Sequence, residues 1–337
     1  MHLRLGRALG ASGVLGAASA LARVLSAEET RVPFETSVRA DAELGGDAQG
    51  STEPPAPLNL PELAHEQLQL RFDVGGARVL PREGAHEALG SESARAIWAS
   101  LQQVGAELPL EATRWYLGAA ASLLEGMQRE GPRALVFGNP EVWLRGTWSH
   151  RHGLSTGGSL GVVLPLPRSL AEGEVELLRA ARTVRPWDSA YFDDLTLTLR
   201  PAMEFRYVEG RTVVQLRQGL DLAQPLQSSL GNEAVCGSAA TKLCAVRGAN
   251  ARSGLFVGYR LYPRLGLGAE LWQTYQLTTD MDDRSRSTLA WMPNLALRLG
   301  DLEPSIACIL PIGRPLRGDA DSYLALLLHL DWAPGVP

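Results

Sequence analysis

The chain has 337 residues, of which 45% are hydrophobic and 20% are charged, and its formal net charge is −5. This is enough apolar material for one large domain or two medium ones. The negative net charge and the lack of a basic block argue against nucleic acid as a partner. Composition alone goes no further, so the fold has to be inferred from the pattern of residues.

The first 27 residues have the pattern of an export signal. Two arginines within Met1–Arg7 precede the short apolar run Ala8–Ala22, and small residues near Ala18–Ala22 and at Ala27 offer cleavage sites. We expect residues 1–27 to be a signal peptide; the alternative is a short amphipathic helix of a cytosolic protein. No other apolar run reaches the ~18 residues that a transmembrane helix needs. An exported chain of this kind is either soluble outside the cytoplasm or a β-barrel.

The next segment, residues 28–65, is rich in Glu, Ala, Gly and Pro, and its apolar residues follow no period. A segment of this composition cannot bury enough apolar surface to order itself. We interpret residues 28–65 as a disordered or extended periplasmic linker.

From residue 66 onward the chain reads as strands separated by turns. The clearest strand lies between Asp194 and Tyr207, where apolar side chains occupy the odd positions and mostly polar ones the even positions, a period of two. A soluble strand is typically five or six residues long, whereas a strand that crosses a bilayer needs about 9–11 alternating residues. The pattern predicts twelve strands, at 66–80, 97–107, 112–124, 134–148, 154–166, 193–207, 211–222, 253–262, 264–277, 287–299, 302–312 and 321–332.

The first two predicted strands have the weakest pattern, and Ser91–Gly105 also fits a short helix, which would leave ten strands. In the C-terminal half, short connections alternate with longer polar ones. The short ones are 208–210, 263 and 300–301, and the long ones are 167–192, 223–252, 278–286 and 313–320. Outer-membrane barrels have short periplasmic turns and longer external loops. This alternation predicts an even number of strands with both termini in the periplasm.

Residues 112–332 therefore resemble the outer-membrane β-barrel proteins of Gram-negative bacteria. Members of that class usually end on an aromatic residue that the assembly machinery reads, and Leu328, Leu330 and Trp332 supply such an alternating ending, although residues 333–337 follow it. The resemblance implies an all-β fold, an antiparallel transmembrane up-and-down β-barrel that spans residues 66–337. It also implies an outer-membrane location, with membrane lipid and the assembly machinery as partners.

The direction in which the charged side chains point follows from the energetics of the bilayer. An arginine that faces lipid at the midplane costs ~2–4 kcal/mol, so we expect the charged face of each strand to point inward. The expected lumen and selectivity residues are Arg145, Arg200, Glu204, Arg206, Arg217, Asp221, Arg260, Glu270, Trp272, Arg298 and Glu303. These residues predict a polar, nearly neutral pore in which paired charges set up an electric field across the constriction. The alternative is that ion pairs between these residues only stabilise the barrel interior and that no solute passes, because a twelve-stranded barrel is narrow enough for side chains to fill.

The three cysteines fit an exported protein. Cys236 and Cys244 lie eight residues apart in a polar stretch and are candidates for a disulfide that closes a small loop. No histidine lies near them, so a zinc site is not predicted, and the sequence suggests no metal and no cofactor. Cys308 is left over within an apolar strand, as a small buried or lipid-facing side chain.

The histidines offer little chemistry. His150 and His152 share a turn with Ser149, which would fit a hydrolase site or a surface metal pair. Because neither G-x-S-x-G nor H-E-x-x-H accompanies them, we interpret this segment as a polar turn and do not expect an enzyme.

The leading functional hypothesis is a passive channel for small polar solutes with a charged lumen. The first alternative is a structural barrel, or one that binds a ligand or partner through its extracellular loops and has no open pore. A lipid-modifying barrel enzyme and a secreted soluble β-sandwich are two further alternatives.

Overall fold

The computed structural model describes residues 68–81, 97–110, 114–128, 133–150, 152–166, 186–192, 195–226, 248–278, 287–312 and 320–333. The expected signal peptide (1–27), the expected linker (28–65) and the disulfide candidates Cys236 and Cys244 lie outside these residues. No helix among the described residues is long and apolar enough to cross a bilayer.

Almost all of the described chain is strand. The strands are β1 Gln69–Pro81, β2 Ile97–Leu110, β3 Trp115–Gln128, β4 Arg133–Phe137, β5 Glu141–Ser149, β6 Leu154–Val163, β7 Thr196–Glu209, β8 Thr212–Pro225, β9 Gly248–Tyr262, β10 Leu265–Gln276, β11 Ser287–Leu297, β12 Leu302–Pro311 and β13 Ala320–Trp332. Among the described residues between β6 and β7, Pro186–Phe192 form a 3₁₀ segment.

The strands form a closed antiparallel barrel. Each strand pairs with its neighbours in the chain except that β4 and β5 both pair with β3, and β1 also pairs with β13, with Leu70 opposite Trp332. Twelve strands make up the barrel wall, and β4 is an extra short strand. It pairs with the C-terminal half of β3, whereas β5 pairs with the N-terminal half of β3. We call the end that carries the connections 150–153, 210–211, 263–264 and 298–301 the short-turn end, and the opposite end the long-loop end.

The predicted fold class is confirmed, and most predicted strand limits are close to the observed ones. The helix alternative for Ser91–Gly105 is wrong from Ile97 onward, because Ile97–Leu110 pairs with both β1 and β3 along its length. Strand β7 begins at Thr196, because Leu195 has a positive φ of 42° and belongs to the preceding turn. Strand β9 begins at Gly248, five residues before the predicted limit.

The two faces of each strand differ as the period of two predicts. In β7 every even-numbered residue from Thr196 to Arg206 is buried, whereas Leu199, Met203, Phe205 and Tyr207 are exposed. The same alternation recurs around the barrel, so large apolar side chains cover the outer wall and the charged ones lie inside. The outside is therefore apolar, whereas the inside holds the charged side chains together with a cluster of buried apolar ones that includes Leu101, Phe256 and Met292.

The strand predicted at 134–148 is interrupted at Gly138–Pro140, between β4 and β5. The apolar side chains change phase across this break, from odd positions at Leu135 and Phe137 to even positions at Val142 and Leu144. Glycine at position 138 leaves room for the Ser122 hydroxyl group, because a Cβ atom there would lie 1.9 Å from Ser122 Oγ and would force that group to rotate away. The break turns Asn139 toward the interior, where it is almost fully buried.

Prolines within strands are expected at bulges or strand ends, because proline has no amide hydrogen for the ladder. Pro201 and Pro293 show a different solution. Pairing between β7 and β8 is missing between Leu199–Leu222 and Ala202–Gly219, yet the register is unchanged. Likewise, β11 and β12 skip the pairs beside Pro293 without a shift. Each proline interrupts the ladder on one side only, which explains why the apolar phase does not slip at Pro201.

The β5–β6 turn supplies a test of the fold. Gly153 has a φ of 72°, and a Cβ atom there would lie 2.1 Å from the Val208 carbonyl oxygen; Gly210 has a φ of 55° but open space around it. We expect Gly210→Ala to cost only the left-handed backbone penalty of ~1–2 kcal/mol. Gly153→Ala should cost clearly more, because the neighbouring backbone must also move. Urea unfolding in detergent micelles measures both, and equal losses would contradict the close approach at Gly153.

Candidate functional site

The described part of the connection between β6 and β7, the 3₁₀ segment Pro186–Phe192, lies in the barrel interior. In this segment Trp187, Asp188, Ala190, Tyr191 and Phe192 are all buried. We call residues 186–192 the inserted segment. The sequence predicted residues 167–192 to be an extracellular loop, and the structure corrects this prediction for the inserted segment, because three aromatic side chains and an aspartate find partners inside the barrel.

The inserted segment is held by aromatic stacking and by the break in the wall. The Trp187 ring stacks on Trp272 of β10, with centroids 5.2 Å apart and planes 15° apart. Asn139 Nδ2 donates to the Ala190 carbonyl oxygen at 3.2 Å, and the Asn139 backbone N–H donates to the carbonyl oxygen of Tyr191. The interruption between β4 and β5 thus provides the docking point for this segment.

Arg200 joins the inserted segment to the barrel wall. Its Nη1 donates to Glu141 at 2.8 Å, its Nη2 to Asp188 at 2.9 Å and its Nε to Asp221 at 3.0 Å. The guanidinium also lies 4.9 Å from the centre of the Tyr191 ring. One buried arginine therefore connects β5, β7, β8 and the inserted segment, and its three carboxylate partners compensate its removal from water.

Tyr191 completes this network. Its hydroxyl group donates to Glu141, the carboxylate that also binds Arg200. Burial, together with the negative charge of Glu141, raises the pKa of Tyr191 above its ordinary value. The phenol therefore stays protonated and acts as a donor.

A second group of charges lies closer to the short-turn end. Arg145 pairs with Glu107, and the Trp143 indole donates to the same carboxylate at 2.6 Å. Arg145 also lies 4.6 Å from the centre of the Tyr116 ring. This group joins β2, β3 and β5 across the interior.

The seam between β1 and β13 carries its own charged group. His329 contacts Asp73 through Nδ1 and Asp331 through Nε2, the latter at 2.7 Å. Arg71 Nε donates to Asp331 at 3.1 Å. These four buried or partly buried side chains couple the two strands that close the barrel.

Between these groups lies an interior cavity of ≈ 120 Å³. The cavity lining is polar and apolar in about equal parts, with charged residues from β1, β2, β5, β7, β8 and β9, and the inserted segment forms part of its wall. Its aromatic lining consists of Trp143, Trp187, Tyr191 and Trp272. Because a cavity needs only ~10–15 Å³ of such space to hold one water, this cavity has room for several waters or a small polar group.

The residues proposed from the sequence for the lumen all lie on inward-facing positions or at strand ends. Eight are buried, namely Arg145, Arg200, Glu204, Arg206, Asp221, Arg260, Glu270 and Trp272, and three are partly buried, namely Arg217, Arg298 and Glu303. Arg217 pairs with Glu204 at 3.2 Å, and Arg260 with Glu303 at 3.5 Å. Of the eleven, the cavity is lined by Arg145, Arg200, Arg217 and Trp272.

Several cavity residues were missed by the sequence analysis. Glu107 lies at the end of a weakly patterned strand, and Glu141 follows the break, where the phase is ambiguous. Arg252 was assigned to a loop because the start of β9 reads as polar. Trp187, Asp188 and Tyr191 belong to P-W-D-S-A-Y-F, whose three aromatic residues are unusual for an exposed loop and could have indicated burial.

His150 and His152, which were considered for a hydrolase or metal site, lie in the β5–β6 turn at the short-turn end. His150 Nε2 contacts the Thr156 hydroxyl group at 2.8 Å, and His152 occupies a positive-φ turn position. Within the described ranges, no group of three or more His, Cys, Asp or Glu side chains is arranged to hold a metal ion. Cys308 is a partly buried free cysteine in β12.

No protein-family model matches the chain, and comparison with curated proteins finds no match. Solved structures do match. An outer-membrane channel from Pseudomonas putida F1 has a TM-score of 0.56 at 9% identity, covering 82% of this chain and 97% of its own. The porin NanC has a TM-score of 0.45 at 11% identity, covering 78% and 100%. The β domain of a Bordetella autotransporter has a TM-score of 0.40 at 11% identity, covering 81% and 100%.

At these low identities, structural likeness bears on the fold and on nothing finer. Three findings indicate the same fold: the closed barrel of twelve strands, its apolar outer wall and the match to the Pseudomonas channel. The chain thus has the fold of the outer-membrane β-barrel proteins of Gram-negative bacteria.

Proposed function

We propose that this protein is an outer-membrane channel that passes small polar solutes through the barrel interior. The observation that carries the proposal is the polar cavity, lined by charged side chains inside a closed barrel whose outer wall is apolar. A water-soluble protein gains nothing from exposing Leu199, Met203 and Phe205 on one strand, whereas a protein in lipid does.

Aromatic side chains at the ends of the strands support a location in the outer membrane. Trp148, Tyr207 and Trp332 are exposed on the outer wall near the short-turn end, where an aromatic girdle would meet the lipid headgroups. In the orientation we propose, the short-turn end faces the periplasm, so both termini are periplasmic and the long loops are extracellular. Export through residues 1–27 and a disulfide between Cys236 and Cys244 belong to this proposal.

The inserted segment is the proposed constriction. Because Trp187, Asp188 and Tyr191 lie against the cavity, they narrow the path beside Arg200 and Trp272. Selectivity would arise from the charged groups at this level, since a narrow, weakly hydrated passage strengthens electrostatic interactions with a solute.

Conductance of the purified full chain in planar bilayers tests this function. A channel gives discrete current steps, and Trp187→Ala should enlarge them because it removes a large ring from the constriction. Trp291→Ala is the matched control, since this tryptophan is exposed on the outer wall of β11. No steps from the folded wild-type protein at any voltage would refute the proposal.

One observation favours a second function, a structural or ligand-binding barrel without an open pore. The inserted segment is fixed by Arg200, Asn139 and the stacked Trp272, and the remaining cavity is small. On this alternative, neither the wild-type protein nor Trp187→Ala conducts, and the long-loop end binds a ligand or partner. The conductance experiment separates the two.

A further inference from the structure

Three consecutive strands each place one arginine on the same wall of the cavity. These are Arg200 on β7, Arg217 on β8 and Arg252 on β9. The partners across the β8–β9 ladder are glycines, with Gly254 opposite Arg217 and Gly219 opposite Arg252. A Cβ atom on Gly219 would lie 3.4 Å from Arg252 Nη2, in van der Waals contact with this guanidinium. The glycines leave both arginines uncovered on the β8–β9 side, whereas on their other sides Arg217 lies opposite Glu204 and Arg252 opposite Thr274.

The carboxylates near this wall are shared or already engaged. Asp221 Oδ1 lies 2.8 Å from Arg252 Nε and 3.0 Å from Arg200 Nε, so one oxygen serves two guanidiniums. Glu204 pairs with Arg217, and Glu141 with Arg200. Arg252 therefore shares Asp221 with Arg200, which has two further carboxylate partners.

One hydrogen-bond donor of Arg252, its Nη2 group, lacks an acceptor among the described residues. The residue is only 4% exposed, and its Nη2 has no hydrogen-bond partner within the described part of the chain. A buried charged donor without an acceptor is unfavourable, and buried polar groups in proteins almost always find a partner. Because Arg252 lines the cavity, an acceptor that enters the cavity can satisfy it.

We propose that Arg252, together with Arg217 on the adjacent strand, forms an anion subsite in the cavity, and that the transported solutes are small carboxylates. A guanidinium presents its N–H groups in a planar fork that matches a carboxylate. A cavity of ≈ 120 Å³ holds a carboxylate with a short tail. The identity of the solute class rests on the channel function proposed above, whereas the subsite itself does not.

Fluorescence quenching tests the subsite without any need for conduction. Trp143, Trp187 and Trp272 line the same cavity, so iodide bound there quenches them. The full chain in detergent micelles is titrated with iodide, with caesium and with neutral acrylamide. Acetate is then added as a competitor in chloride-free buffer. We expect iodide to quench the cavity tryptophans more than caesium does, and acetate to relieve that quenching.

Arg252→Gln should weaken acetate competition about tenfold, the loss expected for one charge-assisted hydrogen bond. Arg217→Gln should weaken it as well and serves as the second variant if Arg252→Gln does not fold. Arg264→Gln, which alters an exposed arginine in the β9–β10 turn, should leave it unchanged. If the folded Arg252→Gln and Arg217→Gln proteins both bind acetate as the wild type does, the two arginines are only structural and the inference is wrong.

Reversal potentials in a KCl gradient separate this inference from the channel function. Anion-selective current that loses selectivity in Arg252→Gln supports both. Cation-selective current would uphold the channel and overturn the carboxylate assignment. Acetate competition without any current would uphold the subsite and refute the channel.

Discussion

Replacing Arg200 by alanine should strongly destabilise the barrel, because three carboxylates lose the guanidinium that they share. The substitution leaves Glu141, Asp188 and Asp221 buried around the site of the lost charge. Removing one partner of a buried ion pair costs ~3–5 kcal/mol, because the remaining charge is not compensated. The free energy of unfolding, measured by urea titration in detergent micelles, should fall by about this amount.

Two further variants serve as comparisons for Arg200→Ala. Arg133→Ala removes an arginine whose side chain is 67% exposed and which pairs with Glu125 at 2.6 Å, so it should cost at most ~1 kcal/mol. Arg200→Lys keeps the charge but cannot reach three carboxylates with one ammonium group, so it should fall between wild type and Arg200→Ala. If Arg200→Ala were no worse than Arg133→Ala, Arg200 would not connect the inserted segment to the wall.

Arginine in place of Met203 should be the second large effect, and it tests the membrane location itself. Met203 is 60% exposed on the outer wall and lies near the middle of β7. An arginine that faces lipid at this depth costs ~2–4 kcal/mol. Folding into lipid vesicles, followed by urea titration, should show this loss together with a lower yield of folded protein.

The matched control is Leu299→Arg, because Leu299 is 54% exposed but lies in the β11–β12 connection at the short-turn end. Near the membrane surface the same substitution costs only ~0–1 kcal/mol. In a soluble protein both substitutions would be surface changes within about 0.5 kcal/mol of neutral. Equal, small effects would therefore place the outer wall in water and remove the basis for a channel.

The fold could be predicted from the sequence because a bilayer enforces a simple rule. Each strand such as β7 must be long, must alternate strictly and must turn its charges inward, so the pattern of residues carries most of the architecture. The weak first two strands needed more than pattern. Residues 97–110 read partly as a helix, and only pairing with β1 and β3 makes them a strand.

The candidate site was less predictable, because its contacts join parts of the chain that no local pattern relates. That Arg200 points inward follows from the alternation in β7, whereas its pairing with Asp188 depends on the inserted segment lying inside the barrel. Arg252 was missed because the start of β9 lacks apolar residues on its outer face, so it gave no period to read. Glu141 was missed because the interruption before it resets the phase.

The ion pair between Arg71 and Asp331 joins residues that are 260 positions apart in the chain. Loops of that length close slowly, and topologies rich in such distant contacts fold at correspondingly low rates. The junction of β1 with β13 must therefore wait until the whole chain is available, while neighbouring hairpins form early. An unclosed intermediate exposes two unpaired strand edges, which are prone to aggregation until β1 pairs with β13.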